Sequence, residues 1–491
     1  MSLLHSELAQ WRHRPVGELL AGAVATFALI PEVIAFSFVA GVDPQVGLYA
    51  SFVISLVIAF TGGRPAMISA AAGSVALVAA PLVASHGLRY LLAAGVLAGL
   101  VQVLFGLLRL GVLMRFVSAS VRTGFVNALA ILIFSAQLPQ LAGGATVTLA
   151  MLGLGLLIIY GLPRLPLPGV SAIPSPLICI VLLTVIASAM GLPLKTVGEL
   201  GQLPDHLPQW HGLRVPLTWD TLRIIGGPAL AIALVGLLES LMTARVVDAL
   251  TDSPSSKSRE CAGLGLANVA AGLFGGIAGC GMIGQTVGNV RYGGRGRLST
   301  LFAGVFLLIL MVLLKDWVSR VPVVALVAIM VMVSVSTFDW GSLRKLVAHP
   351  KLSSIVMLCT VAATLISHDL SIGVGLGVLL SALFFAWKAA SAVSVSQTVD
   401  TQADGLRVHR YHVAGPVFFA SADAFLDAFD PRQAQGQAVV LDLTAARFWD
   451  ITALAALDTL RERFAHHGCR LQLVGLQSRA LLPDAAEEIA S

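Results

Sequence analysis

Two carboxylates and one glycine-rich stretch are the parts of this chain whose types and spacing suggest chemistry. Glu32 follows Pro31 inside an apolar run, and Glu239 sits in a second run, Gly236 to Ala244 (GLLESLMTA). A carboxylate in such surroundings is costly and marks a cavity or a proton path. Both are therefore candidate proton carriers; for Glu239 the plain alternative is a hydrogen bond to free backbone N–H groups. The stretch Gly272 to Arg297 reads GLFGGIAGCGMIGQTVGNVRYGGRGR. It is apolar enough for a membrane, yet its clustered glycines disfavour a continuous helix by about 1 kcal/mol each relative to alanine. The expectation is a helix that stops, turns and restarts. A helix starting in mid-membrane offers unpaired N–H groups and the positive end of its dipole, an anion site. Irregular backbone at that depth must be buried in protein or line a watery cavity; a plain glycine-rich loop is the simpler alternative.

Gly279 to Gly284 also spells G-x-G-x-x-G. A dinucleotide site needs an acidic residue about twenty positions later. Gln285 to Ser299 holds arginines and no acid, so nucleotide binding is not expected.

The elements that must position these residues follow from composition. The 491 residues are 57% hydrophobic and 12% charged, against about 25% charged in soluble domains. The chain is a polytopic membrane protein. A net charge of +5 does not point to nucleic acid, because the basic residues fall between apolar runs. The five cysteines, Cys179, Cys261, Cys280, Cys359 and Cys469, lack paired spacing, so free thiols are expected and neither disulfides nor metal. No cofactor is expected, and no nucleophile–base pair suggests an enzyme.

Trp11-Arg12-His13-Arg14 before Val16 to Ile30 could pass for a signal peptide, but Pro31-Glu32 is no cleavage site; the run is expected to be a retained first span. Spans of about 20 apolar residues fit near 16–40, 44–61, 66–85, 88–108, 112–138, 146–162, 168–190, 219–244, 258–276, 280–292, 298–317, 321–337, 353–368 and 370–388. With the N-terminus inside, most Lys and Arg fall in inner loops, as the positive-inside rule requires; Arg115 and Arg122 open span five and snorkel to that surface. The predicted fold is a polytopic α-helical protein of fourteen spans in two inverted halves, 16–190 and 219–388, forming a transport domain over 1–390. Spans three and ten correspond: Ala66 to Leu82 (AMISAAAGSVALVAAPL) carries Gly73-Ser74 where span ten carries Gly279-Cys280-Gly281. Interrupted segments at matching positions mark the site of many transporters; close helix packing through small residues is the alternative.

From about Gln397 charges return. A linker is expected over 391–403 and an α/β domain over 404–491. Strands are predicted at 406–412 and 417–419 around a Gly415-Pro416 turn, at Ala438 to Leu443, and at Arg470 to Val474. A helix is predicted from Thr452 to His466, with Leu454, Leu457, Leu460 and Phe464 on one face. Asp450-Ile451-Thr452 reads as its N-cap; phosphorylation of Thr452 is the regulatory alternative.

These residues in this order resemble the sulfate permease family of anion transporters with a C-terminal STAS domain. Pro31 to Phe36 (PEVIAF) with Gly47-Leu48-Tyr49 resembles its span-one signature. Leu238 to Leu241 (LESL), Gly263 to Asn268 (GLGLAN), Phe274-Gly275-Gly276, and Thr286 with Asn289 resemble later motifs, and Val439 to Leu443 with Asp450-Ile451-Thr452 resembles the STAS strand and loop. The resemblance implies seven-plus-seven inverted repeats, a core domain moving against a gate domain, homodimers, and substrates from sulfate and bicarbonate to dicarboxylates. A multi-pass protein of the cell inner membrane is expected, and the distribution of Lys and Arg puts the N-terminus and the C-terminal domain in the cytoplasm. Two positions depart from the pattern. Many members have arginine where this chain has Gln285, and most have glutamine where it has Glu32. Both changes make the site more negative, which argues against chloride exchange and simple sulfate uptake.

The expectation is a secondary active transporter working by alternating access, coupling a small carboxylate or dicarboxylate of the fumarate kind to protons through Glu32 and Glu239. Phe36, Gly73, Ser74, Gly281, Met282, Ile283 and Gln285 are expected to line the site, supported by Pro31 and Asn289. Bicarbonate or sulfate with sodium coupling or exchange is the alternative. A nucleobase transporter and a membrane-anchored STAS signalling protein are further rivals.

Overall fold

The computed structural model describes residues 11, 14–111, 117–141, 146–164, 175–216, 218–348, 351–367, 370–401 and 407–476. The expected first residues of spans five and seven, with Arg12, His13 and Arg115, lie outside these. The chain divides into two compact units at Val378/Leu379.

Fourteen helices correspond in order to the fourteen expected spans. The first half contains α1 (Pro15–Ala40), α2 (Pro44–Thr61), β1 (Ser69–Ala71) with α3 (Gly73–His86), α4 (Leu88–Leu107), α5 (Ala119–Ser135), α6 (Thr146–Gly161) and α7 (Ser175–Ala189). The second contains α8 (Trp219–Thr251), α9 (Lys257–Leu273), β2 (Gly279–Gly281) with α10 (Ile283–Arg291), α11 (Leu298–Leu313), α12 (Val323–Thr337), α13 (Lys351–Ser367) and α14 (Leu370–Ala390). Three-residue strands precede the third helix of each half, which is why α3 and α10 have only 14 and 9 residues.

Local sequence explains the breaks. Pro31 removes one internal hydrogen bond from the middle of α1. Gly41, at φ 75°, ends that helix in the left-handed conformation and donates to Phe38 O. β1 and β2 pair antiparallel with Ser69 opposite Gly281 and Ala71 opposite Gly279. Such short strands need help from side chains. Ser55 Oγ donates to Ser69 O at 2.9 Å, and Ala71 N donates to Ser51 Oγ at 3.2 Å. Asn268 accepts from Gly279 N at 2.8 Å and donates to Gly279 O at 3.1 Å. Irregular backbone at this depth must be paired within the protein or line a watery cavity, and these side chains pair the strand groups.

Two fully buried carboxylates tie down the neighbouring loops. Glu18 accepts from the amides of Arg295, Gly296 and Ser299 at 2.6, 2.8 and 3.1 Å. Glu260 accepts from those of Gly63 and Arg64 at 2.8 and 3.1 Å. Buried charges persist where such bonds hold them. Arg122 donates to Val117 O at 2.6 Å.

The second unit folds a four-stranded sheet in the order β3 (Ser394–Thr401), β4 (Arg407–Val417), β5 (Ala438–Phe448) and β6 (Arg470–Val474). β3 runs antiparallel to β4, and the other pairs are parallel. Helices α15 (Ala422–Asp427) and α16 (Ile451–His466) pack on its core of Tyr411, Phe425, Leu441, Leu460 and Phe464. Two expectations are corrected. Residues 391–403, expected as a linker, contain β3, and a Cβ on Gly415 would lie 2.4 Å from Ala392 O. The expected turn at Gly415-Pro416 is strand: β3 pairing stops at Ala414, so Pro416, which lacks an N–H, sits where β4 has lost that partner. Asp450 Oδ1 accepts from Ala453 N at 2.9 Å as the N-cap of α16. The Thr444 hydroxyl and amide, and then His412, hold the Asp442 carboxyl below its ordinary range.

Candidate functional site

The site forms where β1 and β2 cross. Antiparallel pairing sends α3 and α10 away in opposite directions, so both positive ends face the crossing. Neither helix has a side-chain N-cap: Ala72 and Met282 occupy those positions. The amides of Gly73, Ser74 and Val75, and of Ile283, Gly284 and Gln285, open the helices without intrahelical acceptors.

Side chains from α1 and α8 complete it. Phe36 is buried on α1 against the start of α3, where a Cβ on Gly73 would lie 2.6 Å from Phe36 Cε1. Glu32, one turn earlier and partly exposed, faces the Gln285 side chain and is close enough to Glu239 to feel its charge. Glu239, also partly exposed, accepts at Oε2 from Ser74 Oγ and from Cys280 Sγ, the latter at 3.1 Å. Its neighbour Ser240 accepts from Gly281 N at 2.8 Å, and Thr243 donates to Gly281 O at 2.9 Å. Both peptide groups of Gly281 are thus bonded to α8.

The expected residues are placed as follows. Glu32, Phe36, Gly73, Ser74, Glu239, Gly281 and Gln285 come together. Ser74 is fully buried, and its hydroxyl is taken by Glu239. Met282 N donates to Ile68 O at 2.8 Å, while Ile283 is partly exposed. Pro31 is buried in α1. Asn289 lies behind the crossing, donating to Ala66 O and Ser299 Oγ, each at 2.9 Å. Thr452 is exposed on the other unit. Sequence reasoning missed Cys280, Ser240, Thr243 and Asn268. Ser240 and Asn268 stood within quoted motifs, but their partners are distant in sequence. Cys280 carried no signal beyond lying inside the broken segment.

Residues 31–36, 73–76, 239–243 and 281–286 include no Lys or Arg. An anion here would be held by backbone amides and dipoles, with carboxyl groups beside it. Ionised carboxylates repel an anion strongly at low dielectric.

Comparison with known proteins places the whole chain. The sulfate permease family profile matches residues 16–152 and 145–360, and the STAS domain profile residues 402–481. YbaR of Bacillus subtilis, provisionally named a sulfate transporter, is 48% identical over 479 residues, covering 97% of this chain and 98% of its own. The bicarbonate transporter BicA of Synechocystis is 26% identical over 506 residues, covering 94% and 88%. The murine Slc26a9 anion transporter in its inward-facing state shares the fold, with a TM-score of 0.80 at 18% identity, covering 96% of this chain and 87% of that one. The chain belongs to the sulfate permease family and carries a STAS domain after its membrane helices.

Proposed function

We propose that this chain carries a small oxyanion across the cell inner membrane by alternating access, together with protons. One observation supports this reading: two uncapped helix N-termini and two carboxyl groups meet in one site whose segments hold no Lys or Arg. The amides of α3 and α10 bind the anion. Protonation of Glu32 or Glu239 removes the repulsion that an ionised carboxylate exerts on it. Anion and proton then favour each other's binding, and the coupling is reciprocal. A small carboxylate or dicarboxylate of the fumarate kind is the first choice of substrate, because both its ends can meet amide groups.

Sulfate or bicarbonate, with sodium coupling or exchange, is the second reading, favoured by the names of YbaR and BicA. The protein works as a homodimer with its N-terminus and STAS domain in the cytoplasm, and Thr452 is a candidate for regulation. The experiment is uptake of labelled fumarate, sulfate and bicarbonate by purified protein in liposomes, under imposed proton and sodium gradients. Fumarate uptake driven by protons supports the first reading. Uptake of sulfate or bicarbonate alone, indifferent to the proton gradient, replaces it with the second.

A further inference from the structure

Cys280 is the middle residue of β2, opposite Ala70, and is fully buried. Its Sγ donates to Glu239 Oε2 at 3.1 Å and lies 3.9 Å from Ser74 Oγ. Ser74 donates to the same oxygen. Oε2 is therefore held from both interrupted segments, by a hydroxyl at the start of α3 and by a thiol on β2. Oε1 of Glu239 has no hydrogen-bond partner among the described residues and is not sealed away as a buried orphan. The clamp on one oxygen thus decides where the other points.

We infer that Cys280 is a positioning residue for loading: its thiol fixes Glu239 Oε2, so that Oε1 faces the site and takes the proton that accompanies the anion. This rests on the proton-coupled reading above. The groups bonded to Glu239 are Cys280 on β2 and Ser74 on α3, and Glu32 on α1, itself beside Gln285 of α10, lies within electrostatic reach; of these, Glu32 and Cys280 are titratable. A thiol is a weak donor and a hydroxyl a stronger one. Removing a donor from a carboxylate makes it easier to protonate, and strengthening the donor makes it harder. A cysteine that only filled space would change stability without touching the pH response.

The test compares wild-type protein with Cys280→Ala and Cys280→Ser in liposomes, following fumarate uptake against external pH. The midpoint should rise by about half to one pH unit in Cys280→Ala and stay at or below the wild-type value in Cys280→Ser. One shared midpoint, with uptake falling only in proportion to folded protein, overturns the inference. If wild-type uptake ignores pH, proton coupling fails, and an infrared measurement decides on Cys280 separately. In full-length protein with Cys179, Cys261, Cys359 and Cys469 replaced by alanine, the S–H band should lie at a hydrogen-bonded frequency and move on Glu239→Gln. A free S–H band indifferent to Glu239→Gln overturns the positioning role.

Discussion

The two interrupted segments reach the same shape with different means. β1–α3 is built from alanines, and its strand is held from behind by Ser51 and Ser55 of α2. β2–α10 is built around glycines, held by Asn268 of α9 and by Ser240 and Thr243 of α8. Where the strands meet, Gly279 has no room for a side chain: a Cβ there would lie 2.0 Å from Ala70 O. Farther along, the contrast reverses. Gly73 is covered by Phe36, whereas Gly284 is exposed and a Cβ there meets nothing within 4 Å. The first segment is thus scaffold with one lid residue, and the second presents bare helix start to open space. Equivalent positions in an inverted repeat need not bear equal loads.

That contrast can be broken by substitution. The largest effect is expected from Gly279→Ala, because the obstructing atom is backbone and cannot rotate away. Folded yield and uptake should both collapse; a well-folded, active variant would remove close strand pairing from the account. Gly73→Ala comes next. The Phe36 ring must shift, so uptake should fall about tenfold, equivalent to roughly 1.4 kcal/mol, with little change in unfolding temperature. Unchanged uptake would show that Phe36 does not shape the site. Gly281→Ala should cost less, since its Cβ would meet Met67 Cε at 3.1 Å, the end of a flexible side chain, whereas Gly281→Leu should abolish transport. Gly284→Ala should leave stability untouched and reduce uptake only a few-fold, about 1 kcal/mol or less, by placing a methyl before the amides of α10. The smallest effect on transport is expected from Asp450→Ala. Losing that N-cap should destabilise the sheet unit by about 1 kcal/mol, measurable by thermal unfolding, with uptake per folded molecule unchanged.

Much of this was legible in the sequence, for physical reasons. Membrane helices announce themselves by length and hydropathy, so fourteen elements and their order could be read directly. Clustered glycines betrayed the broken segment because a helix rarely tolerates them. The pairing of β1 with β2 was hidden: three residues carry no period, and the partners are separated by about two hundred positions. The clamp on Glu239 was hidden likewise, since Ser74, Glu239 and Cys280 meet only through the fold. In the second unit, the polar strand β3 (SVSQTVDT) reads as linker in sequence, because an edge strand needs few apolar residues. Gly415-Pro416 has turn composition, yet the sheet absorbs it where one neighbour has ended.

The central claim is that a carboxyl group in this site takes up a proton with the anion. It is tested most directly by fumarate uptake into liposomes at zero membrane potential, with and without an inward proton gradient, for wild-type protein and Glu239→Gln. The account predicts accumulation only with the gradient in the wild type, faster as external pH falls, and a flattened pH response with exchange partly retained in Glu239→Gln. Equal wild-type rates with and without the gradient would contradict it.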